Sequence, residues 1–218
     1  MSVAVNAPGA VGVALTGNVT VSDGVSTCVA AVAAGACNLA STSAGTKSIT
    51  ATYAGDANYL TSASAATSHA VNAASTTTTI TNVAALTTPT VVGQPYAVNW
   101  TVAVTAPGAL GVALTGNVTV SDGTATCSAA ATAGTCNLTS TSAGAKSIVA
   151  TYAGDTNYLG SASGAVSHLV NIPSTTTTIT NAAALSTPSL INVAYPVNWS
   201  VTVNAPGTLV ASMTGSVT

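Results

Sequence analysis

The chain has 218 residues, enough for one or two ordinary domains, but only two of them are Lys or Arg and four are Asp or Glu. A net charge of -2 with two cations argues against nucleic acid and anionic membranes as partners, because both require clustered positive charge. Thr, Ser, Asn or Gly breaks every apolar run well short of about 18 residues, so we predict no transmembrane helix and no membrane insertion of this segment.

A repeat organises the chain. Gly12–Gly24 recurs unchanged as Gly111–Gly123, and a third copy begins at Ser174, in the same register. We predict an incomplete module over residues 1–74 that lacks its first strands, a complete module over 75–173, and the N-terminal part of a third over 174–218. Met1 stands where the later copies have Trp, and Thr218 falls within a strand, so we expect both ends to lie inside a longer array.

The hydrophobic pattern has a period of two. In chain order, a Thr-rich segment ends at Ile80, Val118 and Val120 alternate with polar residues, and Ile148 and Tyr152 lie on one face of a later segment. Gly-containing turns separate these runs about every ten residues, and no long helix is predicted. The pattern predicts an all-β fold, a tandem array of immunoglobulin-like Greek-key β-sandwiches with about seven strands each.

The junctions between predicted modules are short. Residues 71–74 and 170–173 lead almost directly into the next Thr-rich strand, without a Gly/Ser linker. We therefore expect the modules to form a stiff, rod-like array.

Two cysteine pairs, Cys28 with Cys37 and Cys127 with Cys136, each bracket eight residues. This spacing suits adjacent strands joined by a hairpin, and we predict a structural disulfide in each module and an oxidising compartment. A zinc site is the alternative, but it usually needs a second ligand pair, so no metal site is predicted.

The run from Ala44 to Tyr59, which ends Tyr-Ala-Gly-Asp-Ala-Asn-Tyr and recurs from Ala143 to Tyr158, resembles the signature of bacterial Ig-like repeat domains of the group 3 type. The opening Ser-Thr-Thr-Thr-Thr-Ile-Thr of the second and third modules is similar to that family as well. The resemblance implies a large cell-surface or secreted protein, such as an adhesin, in which these modules serve as stalks.

Asp56 and Asp155 occupy the Gly-Asp-x-Asn-Tyr loops, where we expect each carboxylate to accept backbone amides and fix the turn. Calcium is the alternative, although each module offers few of the six to eight oxygen ligands required. Tyr59 and Tyr158 are predicted to pack over the sandwich end and hydrogen-bond to backbone, with carbohydrate stacking as the alternative.

Other chemistry-bearing side chains fit structural roles. Trp100 and Trp199 are expected to fill the core, and His69 and His168 to make one hydrogen bond each on a strand face. A Ser-His-Asp triad lacks a nucleophile elbow, and a lysine isopeptide bond lacks a buried glutamate. We therefore predict no enzyme activity and no cofactor.

These observations favour an extracellular, cell-surface structural protein whose modules build a stalk or a filament, with neighbouring copies of itself as partners. Because charged residues are so few, the strand edges lack the lysines that normally block edge-to-edge pairing. The alternative is an adhesin module that recognises a surface glycan or protein through loops at the sandwich end.

Overall fold

The structure is a computed structural model that describes residues 2–6, 12–106, 108, 112–207 and 213–217. Met1, Pro107, Gly111 and Thr218, on which parts of the predictions fall, lie outside the described residues. Contacts divide the chain into unit 1 (Met1–Thr76, Val104–Leu114 and Gly154–Leu159) and unit 2 (Thr77–Ala103, Thr115–Ala153 and Gly160–Thr218). The predicted module boundaries at 74/75 and 173/174 stay a prediction.

Unit 1 contains a five-stranded sheet built from β1 (Asn18–Ser22), β2 (Thr27–Ala31), β3 (Gly45–Tyr53), β4 (Ser62–Ala63) and β5 (Thr67–Val71). The strand order is β2-β1-β3-β4, and β5 also pairs with β3. Val19 and Val21 on β1 pack with Tyr53 on β3, since alternate residues of neighbouring strands face the same side. A short 3-10 helix, Val32–Ala34, follows β2.

Unit 2 holds the remaining strands, except that Thr76 and Val104, which end two of them, are counted in unit 1. They are β6 (Thr76–Ile80), β7 (Thr90–Val91), β8 (Pro95–Val104), β9 (Asn117–Ser121), β10 (Thr126–Ala130), β11 (Thr135–Thr139), β12 (Gly144–Tyr152), β13 (Ser161–Ala162), β14 (Val166–Asn171), β15 (Thr175–Ile179) and β16 (Trp199–Val203). The helices are α1 (Val83–Leu86), α2 (Ala182–Leu185) and a 3-10 helix, Ala131–Ala133.

The middle repeat folds as two sheets. One has the order β10-β9-β12-β14-β7, with β13 paired to β12, and the other has the order β11-β8-β6. Their facing side chains form the core and are fully buried, including Val98, Val118, Val120, Leu138 and Ile148. Antiparallel pairing predominates, and only β7 and β14 pair in parallel among the described strands. Seven strands of the middle repeat have five or more residues within the described part, which confirms the predicted all-β sandwich.

The strands of the third repeat are more exposed than those of the middle repeat. β15 pairs with β16 as a two-stranded ribbon, from Thr175 opposite Val203 to Ile179 opposite Trp199. Trp199 is 54% exposed, whereas Trp100 at the same place in the middle repeat is 2% exposed and donates its indole N–H to Ala131 O. The predicted core role therefore holds for Trp100 and is wrong for Trp199 in this structure, because among the described residues β16 pairs only with β15 and most of the indole stays exposed.

No helix among the described residues has the length and hydropathy needed to cross a membrane.

Candidate functional site

The Asp56 carboxylate is held entirely by donors within unit 1. Oδ1 accepts the amides of Asn58 and Tyr59 at 2.8 and 2.9 Å, and Oδ2 accepts the amide and the hydroxyl of Thr16 at 2.8 and 2.9 Å. The Tyr53 hydroxyl also lies 3.0 Å from Oδ2. The hydrogen bond from the Thr16 amide, followed by that from Asn58, outweighs burial and holds the pKa of Asp56 well below its usual range.

Asp155 closes the corresponding loop of the middle repeat. Its Oδ1 accepts the amides of Asn157 and Tyr158 at 2.8 and 2.9 Å, and its own amide donates to Tyr158 O at 2.9 Å. Both carboxylates thus use their oxygens to fix a turn. A calcium ion would have to displace these amide donors, so the geometry favours the loop-fixing role over calcium.

Tyr59 and Tyr158 anchor the same loops to distant backbone. The Tyr59 hydroxyl donates to Val13 O at 2.7 Å, and the Tyr158 hydroxyl donates to Val112 O at 2.6 Å. Tyr158 is buried, so its ring face is not available for carbohydrate stacking. Tyr53 and Tyr152, which the sequence interpretation did not single out as anchors, form similar bonds: each hydroxyl donates to the carbonyl of Thr16 or Thr115 at 2.8 Å.

The Asn157 loop also binds the segment that joins the first two repeats, within unit 1. The Ala74 amide donates to Asn157 O, and the Leu159 amide donates to Ala74 O, both at 2.8 Å. The Asn157 side chain accepts the amide of Ala44 at 2.9 Å. Gly108 lies so close that a Cβ there would stand 2.6 Å from the Cβ of Ala74. Residues 72–76 are therefore an ordered connection rather than a free linker.

The cysteines form two disulfides, Cys28–Cys37 and Cys127–Cys136, each with a Cα–Cα distance of 6.0 Å. Cys127 lies on β10 and Cys136 on β11, and these strands belong to different sheets. The expectation of two adjacent hairpin strands is therefore wrong for the middle repeat. The 3-10 helix at 131–133 carries the chain from one sheet to the other, and the disulfide links the two layers.

A buried polar cluster in unit 2 was not predicted. Asp122 is 5% exposed, and its Oδ2 accepts the Ser140 hydroxyl at 2.5 Å while Oδ1 accepts the amides of Thr124 and Ala125. Because Ser140 gives its only proton to the carboxylate, the Tyr96 hydroxyl donates to Ser140 at 2.9 Å. Burial alone would raise the pKa of Asp122, but the hydrogen bonds from Ser140, Ala125 and Thr124 lower it to about 2.

His168 continues this cluster. Its Nδ1 donates to Leu86 O at 2.9 Å, since a carbonyl can only accept, and its Nε2 lies 2.8 Å from Thr90 Oγ1. The centroid of the imidazole ring lies 4.2 Å from the centroid of the Tyr96 ring. The prediction of one hydrogen bond understates this role. His69, at the same place in the first repeat, is exposed.

His168 and Lys146 contact groups that belong to the packing of the fold. His168 contacts Leu86, Thr90 and Tyr96 rather than a carboxylate, and Lys146 donates to the Ser142 hydroxyl at 2.6 Å rather than to an asparagine. Within the described residues no group of three or more His, Cys, Asp or Glu side chains is placed to hold a metal ion. The carboxylates of the two Gly-Asp-x-Asn-Tyr loops accept hydrogen bonds from the protein's own backbone amides.

The sequence matches the family model for the bacterial Ig-like domain (group 3) over residues 1–72 and 81–171. The chain belongs to this family. The resemblance drawn from residues 44–59 and 143–158 is thereby confirmed. Among solved structures, this bacterial Ig-like chain is similar to the fibronectin(III)-like modules of Clostridium thermocellum CbhA, with 14% identity over 72% of this chain and 78% of that one and a TM-score of 0.36. No curated protein matches it significantly.

Membership of this bacterial Ig-like family suggests a structural or surface module, and such families are generally non-catalytic. The family and the two disulfides are consistent with an extracellular protein, since disulfides persist in oxidising compartments.

Proposed function

We propose that this chain is a structural segment of an extracellular bacterial surface protein, in which consecutive modules form a stiff stalk or a surface filament without catalytic activity. The observation that carries the proposal is the ordered connection at residues 72–76. A display or spacer element has to transmit position and force from one module to the next, and a free linker would not.

Three hydrogen bonds support this role. Ala74 is bonded through both its amide and its carbonyl, and the Thr105 amide donates to Ser75 O at 2.8 Å. The loop that receives Ala74 is itself fixed by Asp155 and by the Tyr158 hydroxyl. These hydrogen bonds all hold the same short segment, so bending the connection would break several of them together.

The chemistry of the loops points the same way. The carboxylates of Asp56 and Asp155 and the Tyr158 hydroxyl are hydrogen-bonded to other groups of the protein itself. A binding module keeps a few convergent polar groups free for its ligand. The adhesin alternative would therefore have to use groups other than Asp56, Asp155 and Tyr158.

Immunogold electron microscopy on cells that display the native protein tests the proposal. Antibodies against this chain should label surface projections along their length. Label confined to distal tips would support the adhesin alternative instead.

Arrays of host glycans and matrix proteins provide the companion measurement. The purified chain should show no saturable binding. Saturable binding to any arrayed glycan or protein would contradict the structural role.

A further inference from the structure

β10 is an outer strand of the larger sheet of the middle repeat. Among the described strands it pairs with β9 alone, and it is five residues long. β7, the outer strand at the opposite edge of that sheet, has only two residues. A long outer strand presents main-chain groups that can pair with a further strand, whereas a very short one hardly can.

The register of β9 and β10 shows which main-chain groups of β10 face outward. In the turn between the two strands the Asp122 amide donates to Ala125 O at 3.1 Å. Hydrogen-bonded pairs alternate with non-bonded pairs along an antiparallel ladder, so Cys127 and Ala129 bond to β9. The residues whose amides and carbonyls point away from the sheet are therefore Thr126, Ser128 and Ala130.

These three residues form an edge that is open to solvent. All three are exposed, and within the described part of the chain no main-chain group bonds to their amides or carbonyls. Residues 124–131 contain no Lys and no Pro, and each residue of β10 has one partner on β9, so no bulge interrupts the strand. The usual protections of a sheet edge are thus missing from β10.

Unit 1 contains the same kind of edge. β2 is the outer strand of its sheet, and the Asp23 amide donates to Ser26 O at 3.1 Å, which fixes the same alternation. The outward residues of β2 are Thr27, Val29 and Ala31, and all three are exposed. The edge is therefore present twice in the chain, as Thr-Cys-Val-Ala-Ala and as Thr-Cys-Ser-Ala-Ala.

We propose that β10 of one chain pairs antiparallel with β10 of a second copy, and that β2 forms the same pairing with β2 of another copy. In the proposed register Ser128 lies opposite Ser128 of the second copy, and Thr126 lies opposite Ala130. The outward residues then form hydrogen-bonded pairs, each of which exchanges two main-chain bonds. The two sheets become one continuous sheet, joined by about six hydrogen bonds.

The partner is a second copy because the edge is complementary to itself. The opposed side chains are small and uncharged, and hydroxyls that face each other across two strands can hydrogen-bond. No residue of β2 or β10 carries a charge, so identical edges meet without like-charge repulsion. Because the edge occurs twice in the chain, one copy can bind two others.

This pairing rests on the proposed structural function and supplies a lateral partner for it. If the pairing fails, the chain remains a structural segment that does not associate sideways, and the surface labelling described above would still detect it. Since the edges are uncharged, the association should change little between low and high salt.

Sedimentation and light scattering of the purified chain over a range of concentrations provide the first test. The mass should rise in multiples of the chain mass. Val29→Lys with Ser128→Lys places a lysine at the centre of each edge, opposite the same lysine of the second copy. The association should weaken by about fivefold or more, because like charges directly opposite each other repel.

Thr52→Lys with Thr151→Lys is the matched control. Thr151 lies opposite Thr119, which lies opposite Ser128, so the control puts the same charge on the same sheet face, two strands or about 10 Å from the edge. The association of the control should change by less than about twofold. A parent chain that stays monomeric at every concentration would overturn the second copy as partner, and equal weakening by both lysine pairs would overturn the edge as the interface.

Hydrogen exchange read by NMR tests the register. In dilute solution the outward amides of Thr126, Ser128 and Ala130 should exchange rapidly, and association at high concentration should slow them by about tenfold or more. The amides of Cys127 and Ala129, which bond to β9, should be protected under both conditions and serve as the internal control. Association without added protection of the outward amides would overturn the proposed pairing.

Discussion

Removing the disulfide between the two sheets should destabilise the middle repeat strongly. The bond joins residues nine positions apart. In the chain-entropy model, opening a loop of that length lowers the free energy of unfolding by about 2.6 kcal/mol at 25 °C. For a module of roughly 100 residues, a loss of this size corresponds to a decrease in Tm of about 12 °C.

The variant Cys127→Ala with Cys136→Ala is best measured in a Trp199→Phe background. Trp100 is then the only tryptophan, and because it is buried in the middle repeat, its emission reports unfolding of that repeat alone. Urea titration gives the free energy, and a melt gives Tm. The matched variant, Cys28→Ala with Cys37→Ala, removes the disulfide of unit 1 and should leave the Trp100 transition nearly unchanged.

A loss below about 1 kcal/mol would refute this reasoning, since it would mean that the loop is already restricted in the unfolded chain. An equal shift from both cysteine pairs would also contradict it, because the two disulfides would then not act on separate bodies of structure.

Three further outcomes follow from the packing and the hydrogen bonds. The folded-state pKa of Asp122, about 2, lies below the usual value of about 3.9. The ionised carboxylate therefore stabilises the fold above about pH 4, and this stabilisation is lost as pH falls toward about 2. Asp122→Asn should lower Tm at pH 6 and flatten the acid branch of a Tm–pH profile. Leu138→Ala should cost about 2–5 kcal/mol by urea titration, whereas Leu39→Ala, at a half-buried site, should cost less; equal losses would contradict the difference in burial. Asn157→Ala should speed hydrogen exchange at the Ala44 amide, which donates to the Asn157 side chain. Asn58→Ala, at an exposed position, should leave the Ala44 amide protected.

Local pattern was sufficient to predict the strands. Val118 and Val120 alternate with polar residues because one face of β9 is buried, and the repeat transfers that assignment to Val19 and Val21. The Gly-Asp-x-Asn-Tyr spacing likewise indicated a loop, because one oxygen of its carboxylate bonds locally: Asp155 Oδ1 accepts the amides two and three residues away. The bonds of Asp56 Oδ2 to Thr16, 40 residues away, were not visible in that spacing.

Non-local partners were beyond the sequence pattern. The spacing of Cys127 and Cys136 does not show that the chain changes sheets between them. Ser140 meets Asp122 from 18 residues away, and His168 meets Leu86 from 82 residues away. Such contacts depend on how the two sheets pack, so a period-two pattern could place these residues on strands without identifying their neighbours.

The connection at Ala74 is made largely by main-chain groups, and one of its bonds recurs where Asn204 donates its amide to Ser174 O at 2.9 Å, as Thr105 does to Ser75 O. The counterpart of Ala74 is Pro173, which has no N–H to donate. Both junctions keep a glycine at the close approach, Gly108 beside Ala74 and Gly207 beside Pro173, so the same main-chain path accepts either residue. Recombination within the gene that added or deleted one whole 99-residue repeat would therefore leave the chemistry of these junctions unchanged.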